Sequence, residues 1–272
     1  MPLSTPVRRQ VTQPRKIVIL SATIGFIFFL LFLIIMLTLT WNRRSAEHDR
    51  LASYTQRYVA SVFSDLRTTL QPLQANIHSS CEQVRNDLTQ RSAFAPNVRA
   101  ILLVDNRRAF CSSATGPMQM DVQQISPLTE VSNTTDIRLI PGTPMMRGKP
   151  AIVLWLKNPA YPGSGVFTTL NINLTPYLLL ASRDQQISGI AIVAGESAMT
   201  TWNERVIKRS ELPGHDLRTI AIPGYPLTLN LYGEALPQRD IHLILLSGLL
   251  MGMLITCGCF LMFTLRLRAG KE

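Results

Sequence analysis

Charge is scarce in this sequence. Only 16% of its 272 residues are Asp, Glu, Lys or Arg, against about a quarter in soluble domains. Acids are the scarcer half, 17 against 27 Lys and Arg, which leaves a net charge of +10. So basic a balance raises the question of a nucleic-acid partner, but charge this dilute in a chain that is 46% hydrophobic points to a bilayer instead. No internal repeat or low-complexity segment is present, no compositional bias suggests disorder or collagen, and no glycine-rich phosphate loop follows a strand.

Two long apolar runs are present. Residues 17–40 hold no charge, and residues 241–265 hold His242 and two thiols as their only ionisable side chains. At about 1.5 Å per residue each run exceeds the roughly 30 Å of bilayer hydrocarbon. A cleaved signal peptide would need a shorter apolar core and a small-residue cleavage site, where Trp41, Asn42, Arg43 and Arg44 stand. The first run is therefore expected to be a retained anchor.

Orientation follows from the basic residues. The tail 1–16 carries Arg8, Arg9, Arg15 and Lys16 and no acid, while the tail 266–272 carries Arg266, Arg268 and Lys271 against Glu272. Residues 41–240 hold 20 basic and 16 acidic residues, a net +4 spread over 200 positions. Short basic flanks stay inside, so both termini are expected in the cytoplasm and the loop 41–240 outside, in the periplasm of a Gram-negative inner membrane. Arg43 and Arg44 oppose this locally. With the charge so partitioned, no dense basic patch remains for nucleic acid.

Leu51, Tyr54, Tyr58, Val62, Leu66, Leu70 and Leu73 recur at helical spacing, so the first anchor is expected to continue beyond the membrane as a helix that ends near Pro72 and His78. That face serves either packing on its own domain or pairing with a second copy. A helix-like stretch covers Ser79 to Ser92. Short apolar or β-branched runs follow at Val98–Asp105, Ala151–Lys157, Val166–Asn173, Gly189–Ala194, Leu217–Ile222 and Leu227–Tyr232, and Thr175 before Pro176 reads as a helix start running to about Arg183. The expected fold is α+β: two transmembrane helices flanking a PAS- or Cache-like sensor domain with a central antiparallel sheet.

Four cysteines divide by position, Cys81 and Cys111 in the exported loop and Cys257 and Cys259 in the second anchor. An oxidising compartment leaves Cys81 and Cys111 as the pair available for a bridge, worth roughly 3–4 kcal/mol by chain entropy. Such a bond is structural or it is an input, and the residues leave both open. A catalytic thiol at Cys111 would need a His base, and nothing in the spacing of His78 or His215 supports one. The second hypothesis is a ligand-binding domain with a purely structural bridge and a pocket near Trp155 and Tyr161. In the second anchor Gly248 and Gly252 lie one turn apart, a small-xxx-small pair that suits a transmembrane dimer contact or packing on the first anchor.

Several ordered segments then carry a resemblance. Asn97-Val98-Arg99, Leu103-Val104, Phe110-Cys111-Ser112-Ser113-Ala114-Thr115-Gly116, Pro141-Gly142-Thr143-Pro144-Met145, Lys149-Pro150-Ala151-Ile152-Val153 and Leu170-Asn171-Ile172-Asn173-Leu174-Thr175-Pro176 are similar to the CSS-motif sensor domain of enterobacterial EAL-type cyclic-di-GMP phosphodiesterases. The likeness runs from about residue 15 to the C-terminus. It implies a disulfide between Cys81 and Cys111 whose bonded form restrains a cytoplasmic enzyme and whose reduced form releases it. Motif residues are then Cys111, Ser112 and Ser113, and the implied partners are periplasmic thiol-disulfide oxidoreductases, the lipid bilayer, and a homodimer or a heterodimer with full-length CSS–EAL relatives. Such relatives continue into an EAL domain, where acidic residues bind divalent metal and activate water. Here no Glu-x-Leu triplet follows the second anchor, and the tail there offers one carboxylate, Glu272. No catalytic residue, metal site or cofactor is therefore expected in this chain, and two-metal hydrolysis is expected to need a domain that it lacks.

Overall fold

The computed structural model describes residues 12–125, 135–143, 146–172, 174, 187–203 and 205–269. The expected helix from Thr175 to Arg183 lies outside them. The chain divides into two compact units, residues 1–46 with 235–272, and residues 47–234. Helix α1 (Thr12–Leu70), 59 residues long, contributes to both.

In the first unit the start of α1 is accompanied by the C-terminal helix α3 (Gln238–Ala269). Both are long and apolar enough to cross a membrane, and the most apolar window of each is only 11% buried. That exposure argues against the core helix of a soluble domain. Val18, Phe26, Ile34, Leu249 and Leu254 point outward, a surface suited to lipid.

The two helices meet through small residues. A Cβ placed on Gly25 would lie 1.9 Å from Thr256 Oγ1 and 2.9 Å from the Gly252 carbonyl oxygen, and the Thr256 hydroxyl itself donates to that carbonyl at 2.8 Å. Gly248 and Gly252 face Phe29, at 3.1 and 3.3 Å from the same construction. The small-xxx-small stripe thus packs on the first anchor of the same chain, one of its two expected uses. Arg44, one of the two arginines that locally oppose the charge rule, pairs with Asp240 at 2.9 Å, so its charge is matched within the unit.

The second unit begins with the rest of α1, which ends at Leu70 and tightens into a 3-10 turn over Gln71–Asn76 with Pro72 inside it. Its buried stripe is Ala52, Thr55, Val59, Phe63, Leu66 and Leu70. Tyr54, expected on that face, is exposed instead and carries the Arg57 guanidinium over its ring at 4.7 Å. The helix packs on its own domain. Helix α2 (Cys81–Phe94) follows.

Eleven strands among the described residues form two antiparallel sheets. The first contains β1 (Val98–Asp105), β2 (Arg108–Ser112), β3 (Gly116–Asp121), β4 (Thr135–Ile140), β5 (Ala151–Lys157) and β6 (Gly165–Leu170), in the order β3-β2-β1-β6-β5-β4. The second contains β7 (Ile187–Ala194), β8 (Ser197–Thr200), β9 (Val206–Lys208), β10 (Arg218–Ala221) and β11 (Thr228–Gly233), in the order β10-β11-β7-β8-β9. Read from β3 and from β9 the two orders match, except that the second sheet has one strand fewer. The antiparallel-sheet domain expected from sequence is present, but its strands are shared between two sheets of related topology rather than one central sheet. One hydrophobic cluster joins them: Phe63 and Leu70 of α1, Val84 and Leu88 of α2, Ile101 and Leu103 of β1, Ile190 and Ile192 of β7, and Leu229 and Leu231 of β11. Phe63 is fully buried there, and truncating such a ring costs about 3–5 kcal/mol.

Candidate functional site

Helix α2 starts where its sequence says it should. Ser80 is the N-cap, and the Gln83 side chain accepts the Ser80 backbone N–H at 3.3 Å, half of a capping box. Cys81 is therefore the first helical residue, half-buried beside the positive end of the helix. Cys111 lies inside β2, and it is fully buried.

A bulge aims Cys111. Leu103 opposes Cys111 while Val104 opposes Ala109, so Phe110 is an extra residue in β2. In a regular strand Ala109 and Cys111 would share a face. With the bulge, Ala109 joins the cluster of Val104, Trp155 and Phe167, and Cys111 turns to the cluster under α2. There it forms a disulfide with Cys81 across a Cα separation of 5.2 Å, within the usual range for a bridge.

The two serines after Cys111 hold the neighbouring turn. Ser112 Oγ accepts the N–H groups of Ala114 and Thr115 at 3.1 and 3.4 Å, closing the β2–β3 connection on itself. Ser113 reaches back to β1: its N–H donates to the Ile101 carbonyl at 2.9 Å and its Oγ accepts the Ile101 N–H at 3.0 Å. Gly116 ends the turn at φ +77°, and Arg85 of α2 lies over it, 3.2 Å from where a Cβ would stand. The Thr89 hydroxyl of α2 donates to the Ser113 carbonyl at 3.2 Å. Cys-Ser-Ser is thus a clasp that fastens one helix and one central strand to a single turn.

The clasp has a link toward α1. Arg91 of α2 pairs with Asp87 at 2.8 Å and donates from Nη1 to the Thr69 carbonyl, in the last turn of α1, at 3.2 Å. The second sheet repeats the serine arrangement with another residue type: the Thr201 N–H donates to Ile190 O at 2.9 Å and Thr201 Oγ1 accepts the Ile190 N–H at 3.0 Å. No cysteine stands there.

Other candidates lie elsewhere. His78 sits 3.5 Å from Asp105 and edge-on to Tyr161 at 4.4 Å, and His215 is exposed. With Cys111 in a disulfide, no thiol–imidazole pair forms. Trp155 packs on Phe167 in the core, while Tyr161 is exposed. Cys257 and Cys259 in α3 are free thiols.

The family described as "CSS motif domain associated with EAL" matches residues 44–244. The chain belongs to the CSS-motif family. Its CSS-motif region and anchors are 34% identical, over 258 residues, to the Escherichia coli (strain K12) protein named "Probable cyclic di-GMP phosphodiesterase PdeN", covering 95% of this chain and 50% of PdeN. A second relative from the same organism, "Probable cyclic di-GMP phosphodiesterase PdeD", is 23% identical over 209 residues, covering 74% of this chain and 38% of its own. The chain spans about half the length of the first and less of the second. Among solved structures the CSS-motif fold is similar to the extracellular domain of rpHK1S-Z16, described as a histidine kinase, with a TM-score of 0.52 and 12% identity over 73% of this chain and 96% of that one. That likeness is one of fold alone.

Proposed function

We propose that this chain is the membrane-anchored sensor region of a cyclic di-GMP phosphodiesterase system, and that the thiol–disulfide state of Cys81 and Cys111 is its input. In this reading the protein lies in the inner membrane with both termini in the cytoplasm and residues 41–240 in the periplasm. The observation that carries it is the placement of the bridge: it ties the first residue of α2 to a core strand, while the same helix holds the end of α1 through Arg91. Opening the bond frees α2 on one side and changes what α1 packs against, and α1 is continuous with the first anchor. The bonded form is the restrained one. Periplasmic thiol-disulfide oxidoreductases supply the two electrons and two protons. The output is exerted on a cytoplasmic phosphodiesterase domain, in a homodimer or in a heterodimer with full-length CSS–EAL relatives. We assign no catalytic residue, metal or cofactor to this chain, and no nucleic-acid partner.

A second reading is favoured by the full burial of Cys111: a ligand-binding or adaptor module whose bridge is purely structural. Thiol trapping of the full chain in membranes, with and without the periplasmic oxidase, separates the two when cyclic di-GMP is measured in the same cells. Redox input predicts a mixed thiol–disulfide population that shifts with the oxidase, and a cyclic di-GMP change that Cys111→Ser mimics. A bridge fully formed under every growth condition, with cyclic di-GMP unaffected by Cys111→Ser, would sink the input and leave the structural role.

A further inference from the structure

One face of the first sheet looks away from α1 and α2 and carries its own cluster. Trp155, Phe167 and Val104 fill that face at one end. At the other end the central strands β1 and β6 present Ala100 and Thr169, too small to occupy the same depth, and a cavity of about 300 Å³ remains. This lies at the lower end of the range for small-molecule pockets. Its apolar wall is Leu102, Ile125 and three methionines, Met118, Met120 and Met146, whose unbranched thioethers adapt to different shapes.

Polar side chains also line this cavity. Thr169, 4% exposed, is one of them. Arg99 donates from Nη1 to the Lys149 carbonyl at 3.1 Å and from Nη2 to the Pro150 carbonyl at 2.6 Å. Those bonds fix the guanidinium plane but neutralise nothing, and no carboxylate pairs with Arg99 among the described residues. Burial pushes its pKa down, the mark of a partly desolvated cation, though a guanidinium remains charged. Ser112 Oγ accepts two backbone N–H groups, which leaves its own proton to donate into the same space.

We infer that this cavity binds a small monocarboxylate with an apolar body, its carboxylate on Arg99 with Thr169 and Ser112 as hydroxyl donors and its carbon skeleton against Leu102 and the methionines. A desolvated cation without an anion, hydroxyls within one small cavity and a mainly apolar wall select that combination. A phosphate ester or a sugar would leave the wall unused, and a neutral hydrocarbon would leave the cation unpaired. Because Ser112 closes the Cys-Ser-Ser turn, an occupant touches the clasp directly. The inference does not depend on the redox reading.

The test uses the full chain in nanodiscs, with phenylacetate and hexanoate as probes and 2-phenylethanol as the neutral counterpart of the first, read by calorimetry. The expected result is saturable binding of at least one carboxylate, and of phenylacetate about tenfold or more tighter than 2-phenylethanol, the scale of a charge-assisted hydrogen bond. Arg99→Met should erase that preference, and Ala100→Leu, which fills the cavity from its floor, should remove binding of all three. Equal affinity for acid and alcohol, a preference that survives Arg99→Met, or no saturable binding of either carboxylate at millimolar concentration overturns the proposal. Should Arg99→Met fail to fold, undiminished binding to Ala100→Leu overturns it as well.

Discussion

Ser113 holds Ile101 by both of its backbone groups, accepting the N–H at 3.0 Å and donating to the carbonyl at 2.9 Å. The first bond comes from the side chain, so it is the part that a substitution can remove. Ile101 is fully buried, and an N–H left unpaired in that position costs about 1–3 kcal/mol. Ser113→Ala is expected to lower stability by that amount in thermal or urea unfolding of the purified chain, and Ser113→Thr to keep most of it. Thr201 makes the same pair of bonds to Ile190, which is direct precedent for threonine in the role. An unfolding midpoint unchanged in Ser113→Ala would show that water or a neighbouring group replaces the bond.

This relationship also marks where sequence reasoning stops. Strands β1 and β5 were legible residue for residue, and β6, β7, β10 and β11 to within a few residues, because their apolar or β-branched runs are long enough to stand out. The five missed strands, β2, β3, β4, β8 and β9, are short or polar: β3 is Gly-Pro-Met-Gln-Met-Asp, β8 is Ser-Ala-Met-Thr and β9 only three residues. Of these β3, β4 and β9 are edges, and edge positions ask little of composition, so composition reports them poorly. Division into two sheets is set by pairings between distant segments, such as β11 with β7, which leave no local trace. At the site both cysteines were evident. The roles of Ser112 and Ser113 were not, because they depend on a bulge at Phe110 and on the position of Ile101. Nor did Ala100 and Thr169 announce a cavity, since what they contribute is missing volume.

The bridge itself makes two predictions. Closing 30 residues of sequence separation stabilises by roughly 3–4 kcal/mol in the chain-entropy account, so Cys81→Ala with Cys111→Ala should lose about that much relative to the oxidised chain. After reduction the two thiols differ: Cys81 is half-buried at a helix N-terminus, where a thiolate is favoured, and Cys111 is enclosed in apolar core. Brief alkylation of the reduced, folded chain followed by mass spectrometry should therefore label Cys81 first. Faster labelling of Cys111 would contradict this placement of the two sulfurs.

Asp49 and Arg218 give a pH-dependent contact. Hydrogen bonding from the Arg218 side chain holds the Asp49 carboxyl below its ordinary value of 3.8, with the charges of Arg218 and His48 adding to the effect and slight burial opposing it. A carboxylate with a lowered folded pKa stabilises the fold above the unfolded value and loses that contribution as pH falls through the folded one. Since the Asp49 side chain is 59% exposed, solvent screening leaves about 0.2–1 kcal/mol. The stability difference between wild type and Asp49→Asn should be flat from neutral pH to about 5, shrink below about 4 and vanish in stronger acid. A difference that grew on acidification would assign the wrong sign to the pair.

In the first unit the glycines of α3 can be tested for which helix they serve. A Cβ on Gly25 would collide with Thr256 Oγ1 at 1.9 Å and with the Gly252 carbonyl at 2.9 Å, whereas Gly248 and Gly252 have 3.1 and 3.3 Å to Phe29. Backbone collision cannot be relieved by a rotamer change, so Gly25→Leu should separate α1 from α3 and lower the thermal midpoint in detergent. Gly252→Ala, whose Cβ would stand 3.3 Å from Phe29 Cβ and 3.5 Å from the Gly25 carbonyl, needs only a small shift and should cost less. If the stripe serves packing within the chain, Gly248→Leu lowers that midpoint and leaves the cross-linked oligomer distribution in membranes unchanged. If it joins two copies, as the sensor reading allows, the same substitution depletes the cross-linked dimer while a cysteine pair engineered between α1 and α3 still closes within one chain. Small residues let two helices approach in either arrangement, so the choice between them rests on which of these two readouts moves.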